Sequence, residues 1–144
     1  MTSMNHEDFM KIAIEEAKKG DHPFGAVLIK DNQVVSQGHN TVVKDSDPSA
    51  HAEINTIRKF TTKVNNPSLE GYVLYSSGEP CPMCIGACIW AGISEIVFAV
   101  SIQDLIQAQV PQINLPCEDV IAKGTTNIIV TKGILREECL QLFK

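Results

Sequence analysis

Four side chains carry most of the chemistry open to this chain. Cys81 and Cys84 form a C-x-x-C pair directly after Pro80, and His51-Ala52-Glu53 lies thirty residues upstream. Thiolates and an imidazole are the donors zinc prefers. Both stretches fall where a helix is expected to begin. Cysteines three apart in a first turn lie on one face and can share an ion. The free N–H groups and the dipole at a helix start also stabilise thiolates. One His with two Cys makes three protein ligands and leaves the fourth position of a tetrahedral ion to water, the mark of a catalytic zinc site. Zinc lowers the pKa of such a water to about 7.

A purely structural zinc site would need a fourth protein ligand, and Cys88 and Cys117 are the candidates. Cys88 lies seven residues beyond Cys81. That is about 10 Å along a helix at 1.5 Å per residue. Thiolates each about 2.3 Å from one ion cannot be so far apart, so Cys88 reads as a small core residue. Cys117 falls in an irregular segment and stays open as a ligand. The structural reading gives Glu53 nothing to do.

The elements that must hold these residues follow from periodicity and breakers. Apolar residues at helical spacing over Glu7–Lys19 predict a helix that Gly20 stops. Phe24–Ile29 and Val34–His39, joined by Lys30-Asp31-Asn32-Gln33, predict a hairpin. Asp47-Pro48 reads as a helix start, with the helix running from about Ser49 to Phe60. Tyr72–Ser76 is a third strand, Pro80–Ala91 a helix ended by Gly92, and Glu95–Val100 a fourth strand. Helical segments over Ser101–Gln109 and Cys117–Lys123 flank the prolines at 111 and 116. A fifth strand over Asn127–Thr131 and an amphipathic helix over Ile134–Phe143 complete the chain. Strands alternating with helices after an opening hairpin predict an α/β fold, with helices on both faces of one mixed sheet.

H-x-E followed by P-C-x-x-C resembles the signature of zinc deaminases that act on nucleobases. The whole chain resembles the cytidine and deoxycytidylate deaminase superfamily, which implies a three-layer α/β/α sandwich with a five-stranded mixed sheet over residues 1–144, a single domain. The resemblance also implies one Zn2+ per chain, held by His51, Cys81 and Cys84. It makes Glu53 the proton shuttle that takes the water's proton, protonates the ring nitrogen and releases ammonia. Asn40 resembles the asparagine that hydrogen-bonds the base, and Phe24, in Pro23-Phe24-Gly25-Ala26, the aromatic residue lining the base pocket. Ala52 and Trp90 join the substrate-binding set, with Trp90 equally readable as an interface residue. Homodimers are usual in this superfamily, so a dimer is implied. Glu79 is expected at a helix start, Cys139 in the core, and His6, His22 and His39 on the surface or in loops.

Within the superfamily, Asp47-Pro48-Ser49-Ala50-His51-Ala52-Glu53 resembles both bacterial guanine deaminases and tRNA wobble adenosine deaminases. Glu79-Pro80-Cys81-Pro82-Met83-Cys84 with Trp90 looks closer to the guanine branch. The second half departs from it: Asp104-Leu105-Ile106-Gln107-Ala108 replaces a Gly-Phe-Asp-Asp element. Gly133–Cys139 resembles the tRNA enzymes, without their basic C-terminal residues. These features favour a free amino-nucleobase or related heterocycle, guanine-like first, with cytosine, isocytosine or an aminotriazine also open. The alternatives are tRNA adenosine deamination and a non-catalytic zinc-stabilised binding protein.

Bulk properties bound the rest. Apolar residues make up 44% and charged residues 20%, a globular composition, and the net charge is −5. Twelve Lys and Arg are scattered, the densest groups being pairs, which argues against a nucleic-acid partner. No apolar run is long enough to span a membrane. Acids near the N-terminus argue against a signal peptide, and five cysteines without an even framework point to a reducing compartment, the cytoplasm.

Overall fold

The computed structural model describes residues 4–144, so Met1–Ser3 of the N-terminal reading lie outside the described residues. The chain opens with helix α1 (His6–Ala17), capped by Asn5 and Asp8 in a reciprocal capping box. Strands β1 (Gly25–Lys30) and β2 (Gln33–His39) form the expected hairpin. Asp31 and Asn32 turn between them, both at positive φ as a tight hairpin turn of matching twist requires. Helix α2 (Ala52–Val64), strand β3 (Val73–Gly78), helix α3 (Pro82–Ala91) and strand β4 (Glu95–Val100) follow. The remainder comprises α4 (Ile102–Gln107), α5 (Cys117–Ala122), β5 (Ile129–Lys132), α6 (Arg136–Leu140) and a terminal 3-10 turn (Gln141–Phe143).

The five strands make one mixed sheet in the order β2-β1-β3-β4-β5. β1 runs antiparallel to both β2 and β3, whereas β3, β4 and β5 are parallel. Side chains alternate between two cores, as the period of two demands. Ala26, Leu28, Ile96 and Phe98 face one core, shared with Ile85, Cys88 and Cys117 of α3 and α5. Val27, Ile29, Val97 and Ala99 face the other, shared with Phe9 and Met10 of α1, Leu105 and Cys139. Helices therefore cover both faces, and the α/β/α sandwich with its five-stranded mixed sheet is the observed fold.

Three boundaries differ from expectation for local reasons. Helix α2 begins at Ala52 rather than near Pro48, because Asp47 accepts hydrogen bonds from the Ser49 N–H and hydroxyl and closes a separate turn. Helix α3 begins at Pro82 rather than Pro80, placing the second proline at the first helical position. The last helix begins at Arg136 rather than Ile134, because Leu135 is left-handed before it, and its final turn, Gln141–Phe143, tightens to 3-10.

Candidate metal centre and substrate cavity

The site lies beyond the carboxyl end of β3, where open α/β sheets commonly bind ligands. His51 and Cys81 occupy equivalent places, being the N-cap residues of α2 and α3. Their backbones are nearly identical, at φ −70°, ψ 159° and φ −68°, ψ 169°. Neither side chain caps its own helix, so both are free to turn towards each other. Cys84 comes from the first turn of α3 and is fully buried. His51 thus stands just before its helix, because that helix starts later than Pro48 suggested.

His51 Nδ1 lies 3.6 Å from Cys81 Sγ and 3.5 Å from Cys84 Sγ. A tetrahedral zinc with bonds of about 2.3 Å to sulfur and 2.0–2.1 Å to nitrogen would separate these donors by about 3.5 Å. Both nitrogen–sulfur separations therefore match such an ion as they stand. Among the described residues this is the one His, Cys, Asp and Glu group whose donor atoms converge, all within 4.8 Å. Cys88 and Cys117 are not in it and pack in the core, so among the described residues no fourth protein side chain closes the set.

Charge points the same way. The hydrogen bond from Cys84, and then that from His51, hold the Cys81 thiol down at about 4. The same Cys81–Cys84 bond, reinforced by burial, pushes the Cys84 thiol far up. His51 is raised, chiefly by its bond to Cys81. Glu53, only 6% exposed, is pushed up to about 7 by burial and then by the Cys81 charge. A thiolate beside a buried carboxylate is the setting a divalent cation neutralises.

His51, Cys81 and Glu53 open onto a cavity of about 560 Å3. Phe24 lines it and lies 5.5 Å from the ring of Phe143, brought from the other end of the chain. Asn40 is buried and also lines it. Its Oδ1 accepts from the Val42 N–H and its backbone N–H donates to the Phe24 carbonyl, which leaves Nδ2 without a hydrogen-bond partner among the described residues. Ala52 packs its methyl into the sheet core instead. Trp90 is not brought to the cavity: it is 84% exposed near the far end of α3, beside Pro67 and Ile129. Its placement on the surface leaves the pocket-wall reading without a contact.

Several cavity residues gave no sequence signal. Glu79 does not start α3; it is buried, and its two oxygens accept from the backbone N–H groups of Ile102 and Cys117. Gln109, Gln112 and Phe143 line the wall from segments remote in sequence. His22 lines the cavity, His39 pairs with Glu16 at 2.9 Å, and His6 bonds the Tyr75 hydroxyl at 2.6 Å.

Residues 3–100 match the family described as the cytidine and deoxycytidylate deaminase zinc-binding region. The chain belongs to that family and is a deaminase. It is 41% identical over 110 residues to a guanine deaminase of Bacillus subtilis, covering 73% of this chain and 70% of the relative. It is also 36% identical over 140 residues to a tRNA-specific adenosine deaminase of Buchnera aphidicola, covering 93% and 83%. Among solved structures, a guanine deaminase from Nitrosomonas europaea superposes with a TM-score of 0.83 at 26% identity, over 99% of this chain and 85% of that one.

Proposed function

We propose that this chain is a single-domain, zinc-dependent hydrolase that removes ammonia from a free amino-nucleobase or close heterocycle, guanine-like first. The observation that carries the reading is the lining of the cavity: aromatic rings, prolines and side-chain amides, with no Lys or Arg. A planar neutral ring fits such walls. A phosphate would find no charged partner there, whereas proteins that grip nucleic-acid backbones use clustered cations.

Zinc held by His51, Cys81 and Cys84 would supply Lewis-acid activation of water at neutral pH. The chain's own residues do the rest. Glu53, buried beside the metal donors with its carboxyl raised by burial, would take a proton and return it, which is what successive transfers require. Asn40 Nδ2 orients the ring, while Phe24 and Phe143 hold its plane and keep bulk water from the amino-bearing carbon. One domain of this size, working as a small-molecule enzyme in the cytoplasm and assembling as a homodimer, completes the reading.

Ammonia release from guanine, cytosine, isocytosine, the corresponding nucleosides and a tRNA anticodon stem-loop tests it. Turnover of at least one free base, with the RNA inert, is the expected result. Conversion of adenosine to inosine in the RNA, with every free base inert, would overturn it.

A further inference from the structure

Three helices in this chain end on the same pair of backbone hydrogen bonds. In α3, Gly92 N–H donates to Ile89 and Ile93 N–H to Cys88. In α2, Asn65 donates to Thr62 and Asn66 to Thr61. In α4, Gln109 donates to Ile106 and Val110 to Leu105. Each closing residue is left-handed, with φ of 78° at Gly92, 55° at Asn65 and 65° at Gln109. Glycine is the ordinary choice there because it has no Cβ to strain, and asparagine is the common substitute. Glutamine is neither. Leu135 is also left-handed, but its side chain packs into the core. Gln109 is exposed and packs into no core cluster; it stands at the rim of the substrate cavity. Nearby Gln103 gives its amide to Asn114, while the Gln109 amide has no such partner among the described residues.

A strained residue that serves no packing, at the mouth of a cavity, is a signature of use. We infer that Gln109 is a specificity-determining residue whose side-chain amide hydrogen-bonds the substrate ring, reading an edge where a ring carbonyl adjoins an N–H. A primary amide offers one donor and one acceptor side by side and so complements that edge. The inference rests on the proposed function, since it presumes a heterocycle in this cavity. The contact would form equally in the bound substrate and the transition state, so it acts on KM rather than kcat.

Gln109→Gly separates this role from helix termination, because it relieves the backbone while removing the amide. The expected result, on whichever base the parent turns over, is a KM about tenfold higher with kcat within threefold. Tm should be unchanged or raised by up to roughly 3 °C. Gln109→Asn, which keeps an amide and tolerates the conformation, should recover part of the loss. Between guanine and 2-aminopurine, which lacks the carbonyl and N–H, the parent's preference should shrink about tenfold in Gln109→Gly. A KM within twofold of the parent, or a Tm lowered by several degrees, would overturn the role of Gln109 alone. A parent inert on every free base overturns the proposed function, and this role with it.

Discussion

Glu79 accepts a 2.7 Å hydrogen bond from the backbone N–H of Cys117, thirty-eight residues away in sequence. Its second oxygen accepts at 2.8 Å from Ile102. One buried carboxylate thus ties the first residues of α4 and α5 to the loop that carries Cys81. The segment between those two ties includes Gln109, Val110, Pro111 and Gln112, one wall of the cavity. Glu79→Gln keeps the shape but turns an amide N–H2 towards a backbone N–H. Leaving a buried donor unpaired costs about 1–3 kcal/mol. A fall in Tm of roughly 3–9 °C is expected. KM should rise as the wall loosens. A Tm within 1 °C of the parent would show that the two ties hold nothing.

Glu16 provides the pH dependence. Burial alone would raise its carboxyl, but hydrogen bonds from Lys19, His39 and Gln37 outweigh that and bring it to about 2, from an ordinary 4.5. The folded value is depressed, so the stabilisation is fully present above about 4.5. It is lost as pH falls towards 2. Lys19 is more than half exposed, and solvent screens its share. Glu16→Gln should therefore lower stability at pH 7 by on the order of 2 kcal/mol. Urea unfolding at pH 7, 4 and 2 checks this. The gap between the two proteins should close between pH 4.5 and 2, and a gap that stayed constant would remove Glu16 from the account.

The order of elements was legible because each segment's apolar period and its breakers agree with the global fold. The cores follow from the same alternation, as Val27 and Leu28 show by facing opposite helical layers. The converging group of His51, Cys81 and Cys84 was legible because ligand chemistry restricts such a set to few residue types. Helix starts were not, since Pro48, Pro80 and Pro82 all suit a first helical position and only the competing Asp47 turn and the chain's path decide among them. Trp90 was ambiguous because a helix carries two faces, and sequence spacing from Cys81 does not say which one meets the cavity. Glu79, Gln109 and Phe143 were hidden for a different reason. Their places at the cavity arise from how remote segments meet, and nothing local in the sequence marks them.

Cys84 tests the ligand set. It is fully buried and 3.5 Å from His51 Nδ1. Cys84→Ala should leave two donors and lose most of the zinc on metal analysis. It should also lower stability, because metal binding to a site formed on folding is coupled to folding. Normal zinc content in this variant would remove Cys84 from the ligand set and with it the geometry argued above.

Glu53 separates catalysis from scaffolding. It is the second residue of α2 and 6% exposed, with its carboxyl pushed up to about 7 by burial. If zinc only held the fold, Glu53 would be a first-turn carboxylate worth about 0.3–1 kcal/mol through the helix dipole. Glu53→Gln would then trim stability and change nothing else. As the proton shuttle it has an acid–base role in several transfers. General acid–base groups typically contribute about 10²–10⁴-fold, so a loss at the upper end of that range is expected. The amide is nearly isosteric and carries no buried charge, so zinc content and Tm should stay close to those of the parent, or Tm should rise slightly. Ammonia release, metal content and melting are measured on one preparation with the base that proves to be the substrate. A Glu53→Gln protein that keeps its zinc and turns over within tenfold of the parent would end the proton-shuttle assignment.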